Sequence, residues 1–187
     1  MNLAADVAGT TFTVQDSVLD CNAQFHTTDN FPNPDDRPVV NVTNTTVNGR
    51  LSGSSVNMTV SGCIVNGEVY CNGSWSSATT VDINNSTING NAYFDASSSQ
   101  SNDVKITDTT ITGNLQTNYS RNNVRITLTN VTVKGNLSYS GGLSSKVSST
   151  LVTIVSGTYG FDPTNYLADG SIAEFDSATG LWVVTAG

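Results

Sequence analysis

The residues best suited to chemistry lie close together in one polar stretch, where Asp29, Asp35, Asp36 and Arg37 sit beside Asn30, Pro34 and Pro38. Carboxylates crowded on a loop offer oxygen ligands to Ca²⁺, which takes about six to eight of them, but the calcium-loop pattern of alternating acidic residues with a central glycine is absent. A solvated loop without metal is expected. The same stretch is the candidate partner loop, because long loops on rigid scaffolds carry recognition. Acid–base chemistry has little to draw on, since His26 is the only histidine. Cys21, Cys63 and Cys71 match no zinc spacing. Cys63 and Cys71 project inward on different strands either side of Gly67, too far apart along the chain for a disulfide, and are expected as buried thiols. Trp75 offers a ring that either stacks on a sugar or packs within its loop. No catalytic, cofactor or metal set emerges, so the chain reads as a non-enzyme.

Charge narrows the partners. Seven Lys and Arg against 15 Asp and Glu give a net charge of -8, which disfavours nucleic acid and anionic membrane surfaces. No apolar run is long enough to span a bilayer, and the opening Met1-Asn2-Leu3-Ala4-Ala5-Asp6 lacks the basic and apolar regions of a signal peptide. Only 12% of residues are charged, yet 37% are hydrophobic and regularly placed, so a folded chain is expected.

The regularity is a repeat. Gly49, Gly67, Gly90, Gly113, Gly135 and Gly157 recur every 18 to 23 residues, and Cys21 fills the same slot in a first coil. Two residues earlier stand Leu19, Val47, Val65, Ile88, Ile111, Val133 and Val155, an inward-facing aliphatic column. Further apolar columns lie seven and nine residues before the slot and two after it, alternating with polar residues as strands with one buried face do. Five residues before the slot come Asp16, Asn44, Gly62, Asn85, Asp108, Asn130 and Val152, mostly types that tolerate left-handed backbone. Asp16, Asn44, Asn85, Asp108 and Asn130 are therefore expected to form a structural corner ladder, with side chains bonded from coil to coil. Insertions all fall at a third corner, along one edge. The pattern predicts an all-β fold, a parallel β-helix of about seven three-strand coils over residues 1–161. Residues 162–187 form a cap segment, in which Ile172, Phe175, Leu181, Trp182 and Val184 around Asp176-Ser177-Ala178-Thr179-Gly180 read as a β-hairpin. Met1 to Gly9 leave the first coil underprotected.

Runs such as Val81-Asp82-Ile83-Asn84-Asn85-Ser86-Thr87-Ile88-Asn89-Gly90 resemble the right-handed parallel β-helices of the pectin-lyase-like superfamily. The stretch from Gly157-Thr158-Tyr159 through Asp162-Pro163-Thr164 to the Trp182 hairpin is similar to the closing segment of β-helix repeats in large bacterial cell-surface proteins. The resemblance implies adhesive or structural roles outside the cell or on its surface, and related β-helices occur in phage fibres. It also implies what is missing, because the superfamily's enzymes use acidic calcium ligands beside arginine, or clustered aspartates with His and Arg-Ile-Lys signatures. Arg125-Ile126-Thr127 lacks that lysine.

The expected function is a non-catalytic extracellular structural or adhesive module, assembling end to end through its solenoid ends. The alternatives are a carbohydrate-binding or polysaccharide-degrading β-helix, a virion surface component, and an ice-binding solenoid built on outward Thr46, Thr87, Thr110 and Thr132. Carbohydrate or a host surface is the expected partner beyond the chain itself.

Overall fold

The computed structural model describes residues 1–27, 33–73, 79–96, 102–118, 124–140 and 151–187. Each of the first six coils begins with an alternating run, turns at a left-handed residue into a two- or three-residue strand, and turns again into a third strand. A leading strand, β1 (Asn2–Ala4), precedes the first coil of β2 (Thr11–Gln15), β3 (Val18–Leu19) and β4 (Ala23–His26). The second and third coils are β5 (Val39–Thr43), β6 (Thr46–Val47), β7 (Leu51–Ser54), then β8 (Asn57–Ser61), β9 (Ile64–Val65) and β10 (Val69–Gly73). The fourth and fifth are β11 (Thr80–Asn84), β12 (Thr87–Ile88), β13 (Ala92–Ala96), then β14 (Asn102–Thr107), β15 (Thr110–Ile111) and β16 (Leu115–Asn118). The sixth is β17 (Val124–Thr129), β18 (Val131–Val133) and β19 (Leu137–Ser140), and the seventh holds β20 (Val152–Ile154) and β21 (Gly157–Tyr159). An antiparallel hairpin, β22 (Ile172–Asp176) and β23 (Leu181–Thr185), closes the chain.

Like strands stack on like. The first sheet is β2-β5-β8-β11-β14-β17-β20, the second runs from β3 through β6, β9, β12, β15, β18 and β21 to β23 and β22, and the third is β1-β4-β7-β10-β13-β16-β19. Pairing between coils is parallel throughout, and Val47, Val65, Ile88, Ile111 and Val133 lie over one another, fully buried. The third sheet contributes a second inward column beyond those read in the repeat. Phe25, Gly53, Cys71, Phe94 and Thr117 share one register, so two phenyl rings alternate with small residues in successive coils. Cys63 and Cys71 are buried free thiols, and burial pushes the Cys71 thiol up to about 12.

The two tight corners work differently. Asp16, Asn44, Asn85, Asp108 and Asn130 adopt φ of 47–54° and Gly62 65°, the left-handed conformation that Asn, Asp and Gly accept at least cost. The glycine corner needs no positive φ. A Cβ on Gly67 would lie 2.6 Å from the Gly49 carbonyl oxygen, one on Gly90 2.5 Å from that of Gly67, and one on Gly113 2.6 Å from that of Gly90. Glycine is required there because each coil approaches the preceding backbone too closely for a side chain. Cys21 occupies the slot in the first described coil, where the Met1 ammonium lies 3.4 Å from its Sγ.

The seventh coil departs from the register read in the sequence. Gly157 lies beside Val131 and Tyr159 beside Val133, while Ile154 pairs with Leu128. Ser156, rather than Val152, therefore stands level with Asn130, whose N–H donates to Ser156 Oγ at 2.9 Å. Val152 is instead an inward residue of the first sheet. A glycine is indeed demanded at 157, but for another reason, since its φ is +133° and a Cβ would overlap the backbone of Val131. The cap reads as expected. β23 pairs antiparallel with β21, Leu167 bridges Ile154, and Phe161 stacks edge-on against Tyr159 and Tyr166. At the other end β1 extends the third sheet alone, leaving Leu3, Phe12, Val14 and Leu19 only partly covered.

Gly90→Ala is expected to lower stability by about 1–3 kcal/mol through overpacking against a backbone that cannot yield. Cys21→Ala, which trims rather than adds a side chain at the same corner, should cost far less in a urea titration. Thiol titration of the folded chain with a disulfide reagent should modify Cys21 promptly and release Cys63 and Cys71 only on unfolding.

Candidate binding face

The described residues of the acidic loop differ in burial. Asp35 and Asp36 are exposed in a short 3₁₀ turn, Pro34–Asp36, whereas Arg37 turns inward, 3% exposed, with its Nε lacking a hydrogen-bond partner among the described residues. Burial lowers the Arg37 pKa. Asp29 and Trp75 lie outside the described residues. Among the described residues no group of three or more His, Cys, Asp or Glu could hold a metal. Arg125, in the Arg-Ile-Thr run, is held by Asp103 of the coil before it at 2.7 Å.

The corner ladder is discontinuous. Asn44 Nδ2 donates to Asp16 Oδ1 at 3.2 Å and Asn130 Nδ2 to Asp108 Oδ1 at 2.6 Å, but Gly62 separates Asn44 from Asn85. A longer ladder stands one column away, on the outer face of the second sheet. Asn89 Nδ2 donates to Asn66 Oδ1 at 2.7 Å, Asn66 to Asn48 at 2.7 Å, and Asn48 to Asp20 at 2.5 Å. Every amide donates towards the first coil, and an acceptor-only carboxylate ends the chain. A third set uses the residue after the glycine corner, where Asn22, Asn91 and Asn114 accept backbone N–H bonds from Arg50, Asn114 and Asn136 at 2.8–2.9 Å. These amides are committed to holding coils together. Beside the long ladder, Thr87, Thr110 and Thr132 form an outward row that Thr158 continues, with Ile64 before them.

The outer face of the third sheet is chemically different. One outward row is Gln24, Ser52, Tyr70, Tyr93, Gln116 and Ser138, and the next holds His26, Ser54, Asn72 and Asp95. Six strands at about 4.8 Å spacing make this a strip roughly 24 Å long. Tyr70 and Tyr93 meet edge to face at 5.2 Å. Arg50 lies 4.2 Å over the Tyr70 ring and is oriented by Glu68 at 3.2 Å, an arrangement in which a cation sits on the negative face of the ring. A hollow of about 70 Å³ opens among Gln24, Arg50, Ser52, Ser54, Tyr70 and Asn72. Asp95 Oδ1 is buried without a hydrogen-bond partner among the described residues. Burial, then the Asp95 carboxylate and the neighbouring Tyr93, raise the Tyr70 pKa, with Arg50 opposing them. A second hollow, on the first sheet, is bounded by Thr80, Asp103, Lys105, Arg125 and Thr127. Its two cations face one carboxylate, which Arg125 already holds.

Sequence reading had not singled out Tyr70, Tyr93 or Arg50. The signal was present, because both tyrosines follow the inward residue of the third strand, Val69 or Ala92, in consecutive coils. Only the inward columns had been read there. Comparison with known proteins adds no name: no family model, no curated protein and no solved structure matches this chain.

Asp95→Asn should lower the Tyr70 pKa and Arg50→Ala should raise it, as followed by ring-carbon NMR shifts through an alkaline titration.

Proposed function

We propose that this chain is a non-catalytic structural and adhesive solenoid module, displayed outside a cell or on a virion surface, whose third sheet holds an extended saccharide. The observation that carries the reading is the strip centred on Tyr70 and Tyr93. Aromatic rings flanked by planar amides and hydroxyls suit a sugar, whose faces are apolar C–H and whose edges are hydroxyl. Arg50 lies over the Tyr70 ring and Tyr93 packs against it, so the tyrosine pair offers the apolar contact and Gln24, Ser52, Asn72 and Gln116 the hydrogen bonds. A rigid backing suits adhesion, because the strip stands on buried Val69, Ala92 and Leu115, each 0% exposed, and little ordering entropy is lost on binding.

Calorimetric titration with oligosaccharides of several units should show binding that Tyr93→Ala weakens about tenfold, with the thermal melt of the variant unchanged. Release of new reducing ends from any bound polysaccharide would refute the non-catalytic reading.

A further inference from the structure

The two ends of the solenoid are not alike. At the C-terminal end β23 occupies the edge of the second sheet and Leu167 meets β20 on the first. At the other end, among the described residues, β1, β2 and β3 each pair on one side only, around the partly exposed Leu3, Phe12, Val14 and Leu19. Val39 N–H donates to Thr10 C=O at 2.8 Å and Asp16 N–H to Thr43 C=O at 3.1 Å. Even-numbered residues of β2 therefore serve β5, and Thr11, Thr13 and Gln15 direct their N–H and C=O groups to the open edge. By the same alternation Asn2 and Ala4 on β1 and Val18 on β3 face outward along the axis, as shown by the bonds of Gln24 N–H to Met1 C=O and of Thr46 N–H to Ser17 C=O.

We propose that this end is an interface for a second copy of the chain, paired about a two-fold axis through Thr13. The five-residue strand is self-complementary about that point. Antiparallel pairing sets Thr13 against Thr13 of the second copy and Thr11 against Gln15 of the second copy, the residues whose backbone groups face the open edge; the Gln15 C=O, which accepts from Ser17 Oγ at 2.7 Å, keeps its second lone pair for the contact. Inside, the same register sets Phe12 against Val14 of the second copy, so the half-covered apolar ends close on each other. A two-fold axis normal to the first sheet also brings β1 opposite β3 of the second copy, antiparallel, and all three open edges find partners together. Asp16 falls opposite Thr10 of the second copy, not opposite its own image. The product is a closed pair with both capped ends outward, rather than an open fibre, because an isologous contact uses itself up. The pairing is independent of the saccharide reading.

Light scattering on a sizing column should give twice the 19.6 kDa chain mass. Thr13→Pro removes an N–H that faces only the open edge, costs no bond to β5, and should return the protein to one chain mass with its circular dichroism retained. A hydrogen-bonded antiparallel pair places its Cα atoms about 5.5 Å apart, within the disulfide range of about 4.4–6.8 Å. In a Cys21→Ser background, Thr13→Cys should thus cross-link to a covalent dimer on treatment with diamide, at least tenfold faster than Thr59→Cys, which sits two coils away on the same outward row. A strictly monomeric wild type at millimolar concentration, or equal cross-linking of the two cysteine variants, would overturn the proposal.

Discussion

The whole molecule depends on one repeated distance, the spacing of about 4.8 Å at which each coil hydrogen-bonds to the next. With that rise fixed and every strand parallel and in register, each side chain must tolerate its own equivalent directly above and below. Branched aliphatics satisfy this inside, where Val65, Ile88 and Ile111 nest without exposure. Asn satisfies it at the polar columns, since a carboxamide carries a donor on one side and an acceptor on the other and so bonds to its own kind. The unusual abundance of Asn, Ser and Thr is the chemistry of stacking.

This constraint also explains why so much of the architecture was legible in the sequence. Period-two alternation marks the strands, and the branched aliphatics two residues before each Gly49-type corner mark the coils. The residues that escaped did so for physical reasons. Phe25 and Phe94 share a column with Gly53 and Cys71, and such mixed sizes leave no recognisable type to follow. The seventh coil was misplaced because Gly157 satisfies the pattern at a wrong position; sequence records that a side chain is forbidden, not which neighbour forbids it. The ladder of Asp20, Asn48, Asn66 and Asn89 was hidden by the Thr112 and Lys134 that follow it.

The candidate face was the least legible part, because binding surfaces are defined by outward residues that stacking leaves unconstrained. Tyr70 and Tyr93 are neighbours only because their coils have equal offsets from the glycine corner, even though about 23 residues of chain separate them. The polar loop around Asp35 and Asp36 drew attention by composition, and within it Arg37 is drawn inward while the two carboxylates stay exposed. For the tyrosine pair, proximity in sequence was no guide.

The one-sided crowding at the glycine corner gives the array a grammar. Since the missing Cβ of Gly67, Gly90 or Gly113 always points back towards the preceding coil, every unit laid upon another must leave that position bare. Tandem duplication of a segment that carries the glycine is then tolerated, whereas a unit with a side chain there, such as the Cys21 unit, would collide if copied on top of a Gly90-type coil.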